Sequence, residues 1–279
     1  MINLRRKIGK MNFDCDDVIN LKTMKVSHEL KKIIKYSTPH DYVHAHEGSI
    51  SYFDKQKQIH NLSLNKVGLL ITNFDEPKSL KANNIILHEN PRFVFAKICQ
   101  SFFPVKNKIY RFDKKIRENL NLRMGELNFV TEDVSFGKNI SIGNFNNIGC
   151  EGFSVEMFDD EVVRIPHYGN VVIFDDVIIG NNTTICKSVF NSTIIGKNVQ
   201  IDDGVHIAHN VKIGNNSIIA AHSVIAGSVT IGTNCRLGVN VVIENGVTIG
   251  DNTVIGSGAV VLRSVSANST IIARPGVGI

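Results

Sequence analysis

From Ile195 onward, an aliphatic residue recurs at every sixth position. The series is Ile195, Ile201, Ile207, Ile213, Ile219, Ile225, Ile231, Leu237, Ile243, Ile249, Ile255 and Val261. The following residue is usually Gly or Ala, as at Gly196, Ala208, Gly214 and Ala226, and a small or β-branched residue such as Val199, Val205 or Ser217 stands two places before. Neither the 3.6-residue period of a helix nor the two-residue period of a half-buried strand produces this spacing. It predicts short strands separated by tight turns. Three hexads would close one triangular coil of about 18 residues, with each aliphatic side chain stacked inside on its copy in the next coil. Asn and Gly fill the turns (Gly214-Asn215-Asn216, Gly232-Thr233-Asn234), where they tolerate positive φ. The same phase runs earlier through Val130, Phe136, Ile142, Ile148, Ile173, Ile179 and Ile185. Two insertions break it: a long one at about 149–172, and a short one between Ile185 and Ile195. Loops set on a rigid stack are the expected place for function.

Residues before about 125 carry no repeat. Ser27–Ile34 reads as a helix, Ser49–Phe53, Val67–Thr72 and Asn84–Leu87 as strands, and Pro91–Phe103 as a helix with Val94, Phe95, Ile98 and Phe102 on one stripe. The expected organisation is an α/β domain over 1–105, a basic connector over 106–125 and the solenoid over 126–279. The fold class is mainly β, a parallel β-helix preceded by a small α/β domain.

Composition narrows the function. The net charge of +5 divides into 23 Lys+Arg against 12 Asp+Glu over residues 1–125, and 8 against 14 over 126–279. The basic residues are dispersed and no nucleic-acid motif accompanies them, so they read as a solvated face and no nucleic-acid partner is expected. No apolar run reaches the roughly 18 residues of a membrane span, and the basic N-terminus lacks a signal-length apolar region. A cytoplasmic location is expected. Cys15, Cys99, Cys150, Cys186 and Cys235 form no C-x-x-C pair and read as scattered reduced thiols, with neither a disulfide framework nor a metal site.

The hexads resemble the left-handed parallel β-helix of hexapeptide-repeat acyltransferases. Glu151-Gly152-Phe153, Arg164-Ile165-Pro166, Asn182-Thr183-Thr184-Ile185 and Ile207-Ala208-His209-Asn210 narrow the likeness to the UDP-3-O-acylglucosamine N-acyltransferases of lipid A synthesis. Gly48–Phe53, Val67–Ile71 and Asn90-Pro91-Arg92 are similar to that family's nucleotide-binding domain. The resemblance implies a homotrimer with sites between subunits, and acyl transfer from a thioester to a sugar amine. An amine attacks only when neutral, which calls for a base near neutral pH. The family's histidine falls on His209. Asp202, with Asp203 second, is the candidate to orient it, and His206 and His222 are bystanders or substrate contacts. Gly227, one coil beyond His209, matches the family's backbone donor to the oxyanion. Asn210 is a candidate substrate contact.

Other positions depart from the family. Its second histidine is replaced by Gly246, with Asn245 beside it as a substitute donor. Of two aromatics that bracket uracil, Tyr52 is present and the other position is Gln58. A loop glutamine is His167. The family's C-terminal helices for acyl carrier protein have no counterpart before Ile279. These departures point to an N-acyltransferase for a different nucleotide-linked amino sugar in surface polysaccharide (O-antigen) synthesis, with acyl-coenzyme A as co-substrate and no tightly bound cofactor or metal. Glu151, Phe153 and His167 are candidate sugar contacts, and Arg263 and Arg274 candidate coenzyme A contacts. The lipid A enzyme itself, fed by 3-hydroxyacyl carrier protein, is the alternative.

Overall fold

A computed structural model describes residues 3–8, 11–15, 38–39, 48–53, 67–73, 82–105, 108–109 and 118–273. The expected helix over 27–34, Gln58 and Arg274 lie outside the described residues. The chain divides into two compact units: residues 1–105 with 154–166, and residues 106–153 with 167–279.

The first unit is built on a six-stranded sheet. Its strands are β1 (Asn3–Ile8), β2 (Met11–Cys15), β3 (Thr38–Pro39), β4 (Ser49–Phe53), β5 (Val67–Thr72) and β6 (Ala82–Leu87), in the order β2-β1-β6-β5-β4-β3. β3 to β6 are parallel, whereas β1 runs antiparallel to both β2 and β6. β5 is buried along its whole length, as its unbroken apolar run requires. Helix α1 (Pro91–Phe102) starts with Pro at its first turn, and the Asn90 side chain accepts the Phe93 N–H at 2.9 Å. It buries Phe93, Val94, Phe95, Ala96, Ile98 and Cys99, a wider stripe than the four positions read from the sequence, and packs on β4 and β5.

Residues 154–166 interrupt the solenoid in sequence but belong to this first unit. They form a hairpin of Val155–Phe158 against Glu161–Arg164. Asp159 and Asp160 close it with φ of +48° and +60°, the twist a two-residue turn needs. Arg92 pairs with Glu156, Lys97 Nζ lies 2.5 Å from Glu161 Oε1, and Gln100 donates to the Arg164 carbonyl at 2.9 Å.

The second unit is a parallel β-solenoid with three faces of eight, seven and six strands. The hexad ladder is its core. Ile201, Ile219, Leu237 and Ile255 stack on the first face; Val130, Ile148, Ile185, Ile207, Ile225, Ile243 and Val261 on the second; Phe136, Ile173, Ile195, Ile213, Ile231 and Ile249 on the third. Apart from Phe136, which is partly buried, these residues are buried, and each contributes roughly 1.5–3 kcal/mol by leaving water. The corners are equally regular. From Asn198 to Gly258 every sixth residue is left-handed: Asn198, Gly204, Asn210, Asn216, His222, Ser228, Asn234, Asn240, Gly246, Asn252 and Gly258. Asn198, Asn216, Asn234, Asn252 and Asn268 pass amide hydrogen bonds of 3.1–3.2 Å along one corner. Past Val261 the register contracts to 16 residues, pairing Ile255 with Ile271.

Candidate functional site

The corner between the second and third faces differs from the other two. Both insertions occur there: the long one after the strand Asn147–Cys150, the short one after Thr184–Cys186. In the next coils the same corner carries His209, Gly227, Asn245 and Arg263, each two residues past its second-face core residue. One corner thus collects four of the residues expected from the sequence, spaced by the roughly 4.8 Å separation of parallel strands.

His209 is held firmly. Its Nδ1 lies 2.9 Å from Asn210 Oδ1, and that oxygen also accepts the Val189 N–H at 3.2 Å. The amide orientation follows, because a backbone N–H requires the oxygen on that side. An amide oxygen only accepts, so Nδ1 is the donor in this bond. Asn210 is itself fixed by its left-handed φ of +64° and by donating its N–H to Thr193 Oγ1 at 3.1 Å. The orienting partner is therefore Asn210, not Asp202. Asp202 lies on the preceding corner, where its carboxylate accepts the Asp203 N–H at 2.8 Å. Asn210, read from the sequence as a substrate contact, supports the imidazole in this structure. Val189, which completes the arrangement, comes from the short insertion.

Gly227 sits between His209 and Asn245. A methyl group added there would lie 2.7 Å from His209 Cε1, 2.8 Å from Nε2 and 2.9 Å from Asn245 Oδ1. The amides on either side are engaged, Ala226 N–H with Ile243 O at 3.0 Å and Ser228 N–H with His209 O at 2.9 Å. Asn245 is exposed one coil further along, and its own N–H donates to Glu244 Oε1 at 2.9 Å. Gly246, at the family's second histidine, has φ +73° and open space around it.

His167 departs from expectation. It is wholly buried, which removes it from contact with a sugar, and its ring meets that of His209 edge-to-face at 5.3 Å. Gly152 lies against both rings, and a methyl group there would stand 3.0 Å from His167 Nε2 and from His209 Cδ2. Glu151 is half-buried, while Phe153 is 78% exposed. Arg263 is exposed at the end of the corner column. In the first unit, Tyr52 is half-buried with its ring 5.1 Å from Phe95.

The remaining solenoid histidines are separated from His209. His206 points outward from the second face between Thr184 and Val224, and desolvation there lowers its pKa. His222 lies on the preceding corner, against Gly204. The cysteines are less scattered than their spacing suggested. Cys150 and Cys186 are register partners with Sγ atoms 3.8 Å apart. Among the described residues, no helix is long and apolar enough to cross a membrane.

Comparison with known proteins bears on the solenoid. The family profile "Bacterial transferase hexapeptide (six repeats)" matches residues 192–227 and 228–263. A UDP-3-O-acylglucosamine N-acyltransferase of Caulobacter vibrioides is 40% identical over 87 residues, 31% of this chain and 26% of its own. Its counterpart in Coxiella burnetii is 49% identical over 74 residues, 26% of this chain and 22% of its own. This chain thus spans about a quarter of the length of the curated relatives it matches. Among solved structures, the UDP-N-acetylglucosamine acyltransferase of Francisella novicida is 26% identical, covering 55% of this chain and 56% of that one with a TM-score of 0.45.

Proposed function

We propose that this chain, whose residues 192–263 match the bacterial transferase hexapeptide profile, is an N-acyltransferase that moves an acyl group from a pantetheine thioester to the amino group of a nucleotide-linked amino sugar. The observation that carries this reading is His209 itself. Its Nδ1 is committed to Asn210 and its Nε2 is directed to the space over Gly227. Nε2 takes the proton from the sugar ammonium, and the freed amine nitrogen attacks the thioester carbon. The Gly227 N–H donates to the oxyanion that forms. Collapse of that intermediate breaks the C–S bond; the departing thiolate takes the proton held on Nε2, and the nitrogen gives its second proton to solvent to leave the neutral amide.

The corner column suits an extended thioester. Arg263 stands three coils beyond His209, about 14 Å along the axis at the spacing of parallel strands. A pantetheine arm laid along the corner would bring its phosphate to that guanidinium. Acyl-coenzyme A is the preferred donor, with acyl carrier protein as the alternative. Glu151 and Phe153 are the proposed sugar contacts, Asn245 a proposed hydrogen-bond donor to substrate, and Tyr52 a one-sided stacking surface for the base. A homotrimer is part of the proposal. Ile178, Ile218 and Val254 on the first face, with Val224, Val242 and Val260 on the second, are apolar and 37% or more exposed in one protomer, as a surface covered by further copies would be. The second reading, the lipid A enzyme, is favoured by the names of the relatives in Caulobacter and Coxiella.

The test is an assay with acetyl- and longer acyl-coenzyme A against a set of UDP-, GDP- and dTDP-linked amino sugars, following thiol release and product mass. Turnover with a short acyl-coenzyme A is expected. Turnover confined to 3-hydroxyacyl carrier protein and UDP-3-O-acylglucosamine would replace the preferred reading with the second. The role of Asn210 has its own test. Asn210→Gly keeps the left-handed backbone free of strain but removes the Nδ1 partner, so kcat should fall about 10- to 100-fold with KM little changed. Unchanged kcat would show that His209 needs no such support.

A further inference from the structure

In the two coils before His209, the same corner carries two sulfur atoms. Cys150 ends the strand Asn147–Cys150, and Cys186 ends Thr184–Cys186. They are 36 residues apart in sequence, yet an irregularity at Gly149 (φ +86°) brings them into register with Sγ atoms 3.8 Å apart. Adjacent parallel strands run about 4.8 Å apart, inside the 4.4–6.8 Å window of Cα separations that a disulfide spans. The sulfurs must approach by less than about 2 Å to bond.

The two thiols are unequal. Cys186 is buried, whereas Cys150 is half-exposed. A hydrogen bond from Cys186 holds the Cys150 thiol below its ordinary pKa against the effect of burial, and the Lys187 charge assists. That same contact, with burial, pushes Cys186 far up. An accessible, more acidic thiol beside a buried one gives an attacking and a resolving partner.

We propose that Cys150 and Cys186 form a thiol–disulfide exchange site whose oxidant is a low-molecular-weight disulfide. The Cys150 thiolate attacks one sulfur of the small disulfide. Its S–S bond breaks, one small thiolate leaves, and a mixed disulfide remains on Cys150. Capping Cys150 removes the hydrogen bond that had raised Cys186. Cys186 then attacks the Cys150 sulfur, its proton leaves with the second small thiol, and the protein disulfide is complete. Two electrons pass from the protein thiols to the small disulfide.

The bond would act on the neighbouring rings. Cys150 lies two residues before Gly152, which already packs against His167 and His209. Drawing Cys150 onto Cys186 disturbs the chain two residues before a glycine beside which the rings leave no room for a methyl group, so oxidation should lower transfer. This last consequence rests on the proposed function; formation of the bond does not.

The experiment incubates the whole chain with oxidised glutathione and maps its peptides without reduction, before and after dithiothreitol. A linked 150–186 peptide, two hydrogens lighter and reversible, is expected. Cys186→Ser should stop at the glutathione adduct on Cys150, and Cys150→Ser should leave Cys186 unmodified. Acyl transfer should fall at least about 10-fold on oxidation and return on reduction. A wild-type chain that stops at the adduct, or a Cys186 that reacts equally well without Cys150, would overturn the site. A disulfide that forms with transfer unchanged would overturn its effect on His209. Reduced protein with no transfer at all would count against the proposed function and leave the disulfide result standing.

Discussion

His209→Ala should lower acyl transfer about 10²- to 10⁴-fold, the range for losing a positioned general base, while the solenoid stays folded. The two effects separate because the side chain and the backbone do different work at this position. The core contribution of the coil comes from Ile207, which is fully buried and unaffected. The His209 carbonyl still accepts the Ser228 N–H, so the bond between coils survives. The loss should appear in kcat, with the far-ultraviolet circular dichroism and the thermal midpoint close to those of the parent. His206→Ala is the control, because that ring faces outward from the second face. Full transfer by His209→Ala would remove the base from the mechanism, and with it the main support for an amine acceptor.

Gly227→Ala should be nearly as damaging, at about 10²-fold or more in kcat, although it adds one methyl group. The backbone here is not left-handed, so alanine brings no conformational strain. Its effect is steric. The new carbon would overlap His209 Cε1 and Nε2 and press on Asn245 Oδ1. An imidazole tethered through Nδ1 to Asn210 cannot swing aside without giving up that bond. Gly246→Ala offers the contrast. It meets nothing within 4 Å but must adopt φ +73°, so it should lose about 1 kcal/mol of stability and keep its turnover. If Gly227→Ala matched the parent in kcat, the space between His209 and Asn245 would not be where the reaction occurs.

The solenoid was legible because six-residue periodicity states which side chains face inward. Val130, Ile148 and Ile185, read in phase across the long insertion, are stacked as the spacing required. The N-terminal unit was less legible. Asn3–Ile8 reads as a basic N-terminus, and its antiparallel pairings with β2 and with β6, some 80 residues away, make it a strand. Within the site, the partners of His209 were misassigned for a geometric reason. Asp202 offers the better acceptor chemistry, but seven residues along a triangular coil is more than one side, which places it on another corner. Asn210 looked like a turn residue, and its support comes from Val189, in a segment outside the repeat. Cys150 and Cys186 escaped notice because the insertion between them hides that they are one coil apart. One signal was available: Ile148, Ile185 and Ile207 belong to the same face, so both insertions and His209 follow the same class of hexad.

That confinement to one corner bears on how such a chain can diversify. All three corners carry left-handed turn residues, and at one of them Asn198, Asn216, Asn234 and Asn252 form an amide ladder that couples each coil to the next. The corner after the second face already tolerates an added hairpin and a four-residue enlargement without breaking the ladder of Ile148, Ile185 and Ile207. Chain length can therefore change there while the stacked core stays in register, so segments are added to this solenoid at one edge and not within its frame.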